Sequence, residues 1–246
     1  MSKVKRAANR GFTLIELIVV VSVLALIAVI AIPNYLDSKL QANEVAAIDA
    51  LRLVAQAQTQ FQARAIVDRD GDGIGEFGGF MELSGMRGPR VASGAPVPPP
   101  LSPPILTSGS FQTVLAPWGH IQRSGYCFQM YLPQPDGRRY PERVGQFHDV
   151  VDINLSEVTW CCYAWPIVYN NSGRRTFCVN QSGTIVMTDA PDYSGSAGGL
   201  NRPEWTGAVL GAAFDATNEI KHARAITGRL AIGRVGYDGH LWHQVK

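Results

Sequence analysis

Residues 1–33 read MSKVKRAANRGFTLIELIVVVSVLALIAVIAIP, and this stretch decides how the rest of the chain is held. Four cations precede Gly11, and the run from Phe12 to Ile32 carries a single charge, that of Glu16. About 20 apolar residues cross the hydrocarbon core of a bilayer as a helix, so the run is long enough to span it. Because the cations come first, the positive-inside rule predicts that the leader stays in the cytoplasm and the rest lies outside.

The length and charge of the chain limit how many domains it can form and which kinds of partner it can bind. A chain of 246 residues with balanced hydropathy fits one globular domain behind the N-terminal segment. The formal net charge is +2, but the first eleven residues hold four cations and no acid, which leaves 2 − 4 = −2 for the remainder. Those cations are Lys3, Lys5, Arg6 and Arg10. Without a sustained basic stripe, nucleic acid is not expected as the main partner.

No motif in the chain predicts catalysis. A nucleophile elbow, a phosphate-binding loop, a dinucleotide fingerprint and a pair of catalytic carboxylates are all missing from the sequence. We therefore expect a protein that is not an enzyme.

The carboxylate inside the apolar run needs an explanation, because charged groups in a membrane span are costly. A secretory signal peptide would be shorter and would end at a small-residue cleavage site, for which Ala31-Ile32-Pro33 is a poor match. A plain signal anchor is the alternative, with Glu16 reaching the cytoplasmic interface.

The sequence Gly11-Phe12-Thr13-Leu14-Ile15-Glu16, with cations before it and a long apolar run up to Pro33 after it, resembles the type IV pilin and type II secretion pseudopilin superfamily. The resemblance is confined to the N-terminal helical region. It implies that prepilin peptidase cuts between Gly11 and Phe12 and methylates the new N-terminus. It further implies that Glu16 neutralises the Phe12 amine of a neighbouring subunit, and that the helix loosens at Pro33 on assembly.

The same resemblance implies the partners and the location. Expected partners are other copies of this chain, related pilin-like subunits, prepilin peptidase and an inner-membrane assembly platform. The mature chain of 246 − 11 = 235 residues would be a single-pass inner-membrane protein and then part of a periplasmic or cell-surface filament. Pilus subunit and secretion pseudopilin both stay open, the element order being slightly closer to the major pseudopilin type. The alternative function is a membrane-anchored, calcium-stabilised binding domain that never polymerises.

The expected fold is α+β, a pilin fold with a long N-terminal helix packed on an antiparallel β-sheet. Residues 12–66 are predicted to form the helix, of which 12–32 would be the membrane or filament-core part. Pro33 removes a backbone donor and should kink or loosen it. Beyond Pro33, apolar residues recur at three- and four-residue steps and predict one buried stripe.

Residues 67–246 are predicted to form an extracytoplasmic β-rich domain. Alternating apolar residues and turn signals predict strands at Gly125–Leu132, Val158–Tyr169 and Arg175–Thr188, the last with a hairpin turn at 180–183. A second hairpin is expected around Asp238-Gly239.

The segment from Asp68 to Glu76 resembles the start of a calcium loop. Carboxylates stand at places one, three and five, a glycine stands at six, and the carbonyl of the seventh residue is available. Place twelve is Gly79, so the segment is not an EF-hand. The predicted calcium ligands are Asp68, Asp70, Asp72, Ile74 and either Glu76 or Glu82. The alternative is a solvated acidic turn at the end of the helix.

The chain has four cysteines, all in its second half: Cys127, Cys161, Cys162 and Cys178. Four cysteines allow three pairings, and an exported domain is expected to hold one or two disulfides. The adjacent Cys161 and Cys162 point to opposite faces of a strand, so Cys127 and Cys178 are each expected to pair with one of them. Buried thiols are the alternative, and the absence of a C-x-x-C pair argues against zinc.

Overall fold

A computed structural model describes residues 12–91, 104–107, 109–115, 119–137, 139–142, 150–195, 212–215 and 226–245. The predicted leader, residues 1–11, lies outside the described residues. The chain divides into two units, the first ending at Lys39 and the second beginning at Leu40. Helix α1 (Leu14–Ala63) begins in the first unit and ends in the second. The helix ends three residues before the boundary expected from the sequence.

The described part of the first unit, residues 12–39, consists almost entirely of α1. Its large apolar side chains are exposed, and this part of the helix is long and apolar enough to cross a membrane. The α-helical conformation continues on both sides of Pro33. Since proline has no N–H, the carbonyl four residues earlier loses its usual donor there, but the helix does not end.

Two further helices lie in the part of the second unit that the structure describes, α2 (Phe80–Leu83) and α3 (Ile153–Val158). Eight strands lie within its described residues: β1 (Ile121–Arg123), β2 (Tyr126–Pro133), β3 (Arg139–Pro141), β4 (Cys161–Pro166), β5 (Thr176–Asn180), β6 (Ile185–Thr188), β7 (Arg234–Val235) and β8 (Leu241–Gln244). They pair in the order β1-β2-β4-β5-β6-β8-β7, with β3 on the same edge of β2 as β1. Every ladder is antiparallel, as predicted, so the α+β fold class is confirmed.

The predicted strands differ from the observed ones mainly around β4. Strand β2 and the β5–β6 hairpin lie where the sequence placed them, and β7 and β8 form the terminal hairpin. The predicted strand Val158–Tyr169 is wrong at both ends, because Val158 ends α3 and the ladder covers only Cys161–Pro166. Asp152 caps α3 by accepting a 2.8 Å hydrogen bond from the N–H of Leu155.

One face of the sheet packs on the second half of α1. The helix buries a stripe that includes Leu51, Val54 and Phe61 against Phe128 and Phe177 of the sheet. These helix positions are three, seven and ten residues apart, so they share one side of the helix. The long helix packed on the sheet is therefore present as predicted.

The other face of the sheet is buried as well. Tyr131, Tyr163 and Trp165 point away from α1 and pack with Trp242 of β8 and with Phe214 from the C-terminal region. The rings of Tyr131 and Tyr163 meet edge-on with centroids 6.0 Å apart, and those of Tyr163 and Trp242 meet at 6.2 Å. Burial on both faces explains why every residue of β2 and β4 is buried.

Truncating the helix stripe should destabilise the second unit. Leu51 is 0% exposed whereas Leu53, two residues further along the same helix, is 40% exposed. We expect Leu51→Ala to lower the free energy of unfolding by about 2–5 kcal/mol, because it removes buried methyl groups and leaves a cavity. The matched variant Leu53→Ala should cost no more than about 1 kcal/mol. Thermal unfolding of the detergent-purified chain measures both, and equal losses would contradict this packing.

Candidate functional site

The start of α1 is closed by a capping box between Thr13 and Glu16. The backbone N–H and the hydroxyl of Thr13 donate to Oε2 of Glu16 at 2.9 and 2.7 Å. The N–H of Glu16 donates in return to the Thr13 hydroxyl at 3.3 Å. Thr13 is therefore the N-cap and Glu16 the third helical residue, the arrangement of an S/T-x-x-E capping box. The carboxylate thus has a local role that the sequence interpretation did not include.

The other residues predicted for processing and assembly lie along the same segment. Gly11 is outside the described residues, and Phe12 is 83% exposed just before the capping box. Pro33 lies within the apolar half of α1. The Thr13 bonds occupy Oε2 of Glu16, and no described residue donates to its Oε1.

Asp68, Asp70 and Asp72 come together in the segment that follows α1, which we call the acidic loop (residues 68–73). One carboxylate oxygen from each lies within 4.8 Å of the other two. The N–H groups of Gly71 and Gly73 donate to the Asp68 carboxylate at 2.8 and 3.1 Å. Both glycines have positive φ, 76° and 89°, a backbone conformation that glycine adopts without the cost of a side chain.

Glu76, predicted as a possible calcium ligand, lies in a different network. Arg69 binds its carboxylate in a bidentate pair, with Nε to Oε1 at 2.8 Å and Nη2 to Oε2 at 2.7 Å. The hydroxyl of Ser156 on α3 donates to Oε2 at 2.8 Å. Glu82 is held by the buried Arg90, with Nε to Oε1 at 3.0 Å, and by the N–H of Gly79. Both glutamates therefore already have their own hydrogen-bond donors.

Sequence reasoning missed Glu157, a carboxylate on a helix that the fold packs against the segments flanking the acidic loop. It lies on α3, is 7% exposed, and its Oε1 is buried without a hydrogen-bond partner among the described residues. Burial raises the pKa of Glu157 above its ordinary value, and the negative charges of Asp72 and Asp70 raise it further. No pattern near Glu157 marks it, because only the packing of α3 brings it close to the loop.

The four cysteines are buried thiols, distributed over both faces of the sheet. Cys127, Cys161 and Cys178 share the face covered by the C-terminal region, and Cys162 faces α1, as the alternation predicted for the adjacent pair. Cys178 lies opposite Tyr163, so it is two positions along the β4–β5 ladder from Cys161 and on the same face of the sheet.

The expected pairing of Cys127 with Cys161 or Cys162 is wrong. Cys127 lies opposite Trp165, whereas Cys161 lies opposite Tyr131, four residues further along the same ladder. That offset is about 13 Å, well beyond the Cα separation of roughly 7 Å that a disulfide tolerates. Cys162 points to the opposite face.

Three comparisons with known proteins bear on this arrangement. The prokaryotic N-terminal methylation motif matches residues 6–32, the stretch that contains the capping box. Over 87 residues the chain is 37% identical to the type IV major pilin protein PilA of Myxococcus xanthus, and the aligned part covers 35% of this chain and 39% of that protein. The chain thus spans about two fifths of the length of this curated relative. No solved structure matches it.

The motif and the relative confirm the predicted resemblance to the type IV pilin and pseudopilin superfamily. A further family model matches residues 34–197, more than half of the chain, and covers the second half of α1 and most of the sheet. The chain belongs to the family described as protein of unknown function (DUF2950), and it carries the N-terminal methylation motif ahead of that region.

Proposed function

We propose that this chain is a structural subunit of a type IV pilin-like filament rather than an enzyme. The observation that carries the proposal is the Gly11-to-Glu16 motif at the head of a 50-residue helix whose first half is apolar and exposed. In this proposal the precursor is held in the inner membrane by α1, with the sheet outside. Prepilin peptidase cuts after Gly11, and the assembly platform adds the subunit to the filament.

The exposed apolar half of α1 suits two successive environments, a bilayer before assembly and a filament core after it. Its apolar side chains need a non-aqueous neighbour, because contiguous exposed apolar surface of this size is rare in soluble proteins. A bilayer supplies that neighbour before assembly, and the same half of other copies supplies it in a filament core. A plain membrane anchor would place this half of the helix in the bilayer only.

Glu16 distinguishes the two hypotheses. Within one chain it completes a capping box, for which glutamine serves as well as glutamate. In a filament core it would also neutralise the amine of a neighbouring Phe12, for which the negative charge is required. The structural role and the assembly role of Glu16 can therefore be separated by one substitution.

The pilus form of the filament is favoured by the name of the curated relative, a type IV major pilin. We therefore place this chain in a cell-surface filament, and a secretion pseudopilin in the periplasm is the second candidate.

The mass of the N-terminal peptide tests processing. We expect protein sheared mechanically from the cell surface to begin at N-methylated Phe12, since cleavage after Gly11 removes the four cations of the leader. The same peptide found in membranes but not in sheared material would favour the pseudopilin. An intact leader in native protein would contradict processing altogether.

Replacing Glu16 by glutamine tests assembly. Glu16→Gln keeps the capping box but removes the charge, so we expect the variant to reach the membrane at the normal level. The amount in the sheared fraction should fall at least roughly tenfold, because stranding a buried amine costs about 3–5 kcal/mol.

The matched variant for this test is Thr13→Val, which removes the capping hydroxyl and keeps the carboxylate. It should cost about 1 kcal/mol locally and should still assemble. If Glu16→Gln is as abundant in the sheared fraction as the parent, Glu16 does not neutralise Phe12 during assembly. If the parent itself is absent from the sheared fraction, the chain is an anchored domain and the filament hypothesis is lost.

The location proposed for the sheet has a consequence for the cysteines. In an oxidising compartment a thiol–disulfide oxidant would join Cys161 to Cys178, releasing two thiols of its own, because these two cysteines lie on the same face of neighbouring strands, two positions apart. The protein is isolated from cells, unfolded and alkylated. We expect the reagent to label Cys127 and Cys162 before reduction, and Cys161 and Cys178 only after reduction. Cys127→Ser should keep the bond and Cys178→Ser should abolish it. A linked peptide containing Cys127 would contradict the register.

A further inference from the structure

The acidic loop concentrates negative charge in a short segment. Carboxylate oxygens of Asp68, Asp70 and Asp72 lie within 4.8 Å of one another. Arg69 belongs to the loop, but its guanidinium binds Glu76 and the carbonyl of Val151. An exposed cluster of this kind is often just a solvated turn, so the loop alone does not indicate a ligand.

A second observation, independent of the acidic loop, comes from the buried carboxylate of Glu157. Its carboxylate is buried, yet Oε1 accepts no hydrogen bond from any described residue. The negative charges that act on it most strongly are those of Asp72 and Asp70. Buried polar atoms almost always have a partner, so a buried carboxylate oxygen that accepts no hydrogen bond and is subject to negative charges lacks a positive partner.

Hydrogen bonds to the backbone of α3 fix the position of Glu157. The Gln62 amide of α1 donates to the Glu157 carbonyl, and the N–H of Phe77, just after the loop, donates to the carbonyl of Ser156 at 2.8 Å. These bonds attach α3 to the segments on both sides of the acidic loop. They hold the backbone of Glu157 next to the residues that flank the acidic loop.

We propose that Asp68, Asp70, Asp72 and Glu157 bind one Ca²⁺, with the backbone carbonyl of Ile74 as a fifth protein ligand. Ca²⁺ prefers oxygen ligands at about 2.3–2.6 Å, so ligands on opposite sides of one ion lie roughly 5 Å apart, and the oxygens of the three aspartates already lie within 4.8 Å of one another. The smaller Mg²⁺ requires near-ideal octahedral geometry and keeps several waters, which suits an all-protein carboxylate cage less well.

In this site Glu157 takes the part that the twelfth residue plays in a helix–loop–helix calcium site. That place in the loop is Gly79, whose N–H donates to Glu82. The closing carboxylate comes instead from α3, which directly precedes β4. A bound Ca²⁺ therefore joins the end of α1 to the segment that enters the centre of the sheet, and its binding should stabilise the folded domain.

Thermal unfolding of the full chain in detergent tests the site, with chelator or with a Ca²⁺ concentration about a hundred times the dissociation constant found by titration. We expect Ca²⁺ to raise Tm by about 5–10 °C and Mg²⁺ at the same concentration to raise it less. Calorimetric titration should show one Ca²⁺ per chain.

The variant Glu157→Gln tests the site more sharply than calcium addition alone, because the difference in Tm between variant and parent should change sign when calcium is added. In chelator its Tm should equal or exceed that of the parent, because one of four repelling charges is gone. In Ca²⁺ it should melt below the parent, as most of the calcium-dependent rise is lost. Asp70→Asn, at an exposed position, should also lose the rise, and Asp189→Asn, just after β6, should keep it in full.

The proposal is overturned if Ca²⁺ leaves the Tm of the parent unchanged. It is equally overturned if Glu157→Gln keeps the full rise while Asp70→Asn loses it, which would mean that the loop binds calcium without α3. Should Glu157→Gln fail to fold in both conditions, Asp70→Asn and the calorimetric stoichiometry still decide whether the acidic loop is a calcium site.

Discussion

The burial of one side of α1 against one face of the sheet is the contact on which the rest of the second unit depends. Leu51, Val54 and Phe61 fill that face together with the aromatic residues of β2 and β5. Because the helix covers one face, the aromatic residues on the other face need a separate cover. The C-terminal region supplies it through Phe214 and Trp242. The two cores share the same strands, so they cannot form independently of one another.

The chain must also turn from the helix back to the sheet, and buried carboxylates with their donors hold this turn together with apolar residues such as Phe77 and Phe80. Glu76 accepts from Arg69 and Ser156, and Glu82 accepts from Arg90. Glu142 accepts from the first N–H groups of α2, and burial raises the pKa of this carboxyl to about 7. Buried ions of this kind are strongly destabilising when one partner is removed, so these positions are tightly constrained.

The sequence predicted those parts of the fold that follow from local pattern. The apolar run, the helix stripe and the alternation in β2 depend on spacing alone, and so do the two hairpins. The strand at Val158–Tyr169 was wrong because apolar Val158 resembles a strand residue, while the capping side chain of Asp152 makes it the end of α3. The covered second face had a signal, since Tyr131, Tyr163 and Trp165 occupy positions that an exposed face would fill with polar residues.

Among the candidate sites, too, features set by neighbouring residues can be predicted from the sequence, and features set by tertiary packing cannot. The capping box is a four-residue pattern and is readable in the sequence, although Glu16 was interpreted from its charge alone. The position of Glu157 depends on where α3 packs, and the separation of Cys127 from Cys161 depends on ladder register. Neither can be obtained without the fold.

Strand β8 has a consequence for the order of folding. It pairs with β6, which lies earlier in the chain, and it supplies Trp242 to the face that holds Tyr131 and Tyr163. Until β8 has been synthesised and has docked, an apolar and thiol-bearing face of the sheet stays open to solvent. A nascent domain in which β2 to β6 have paired without β8 is therefore an aggregation-prone intermediate.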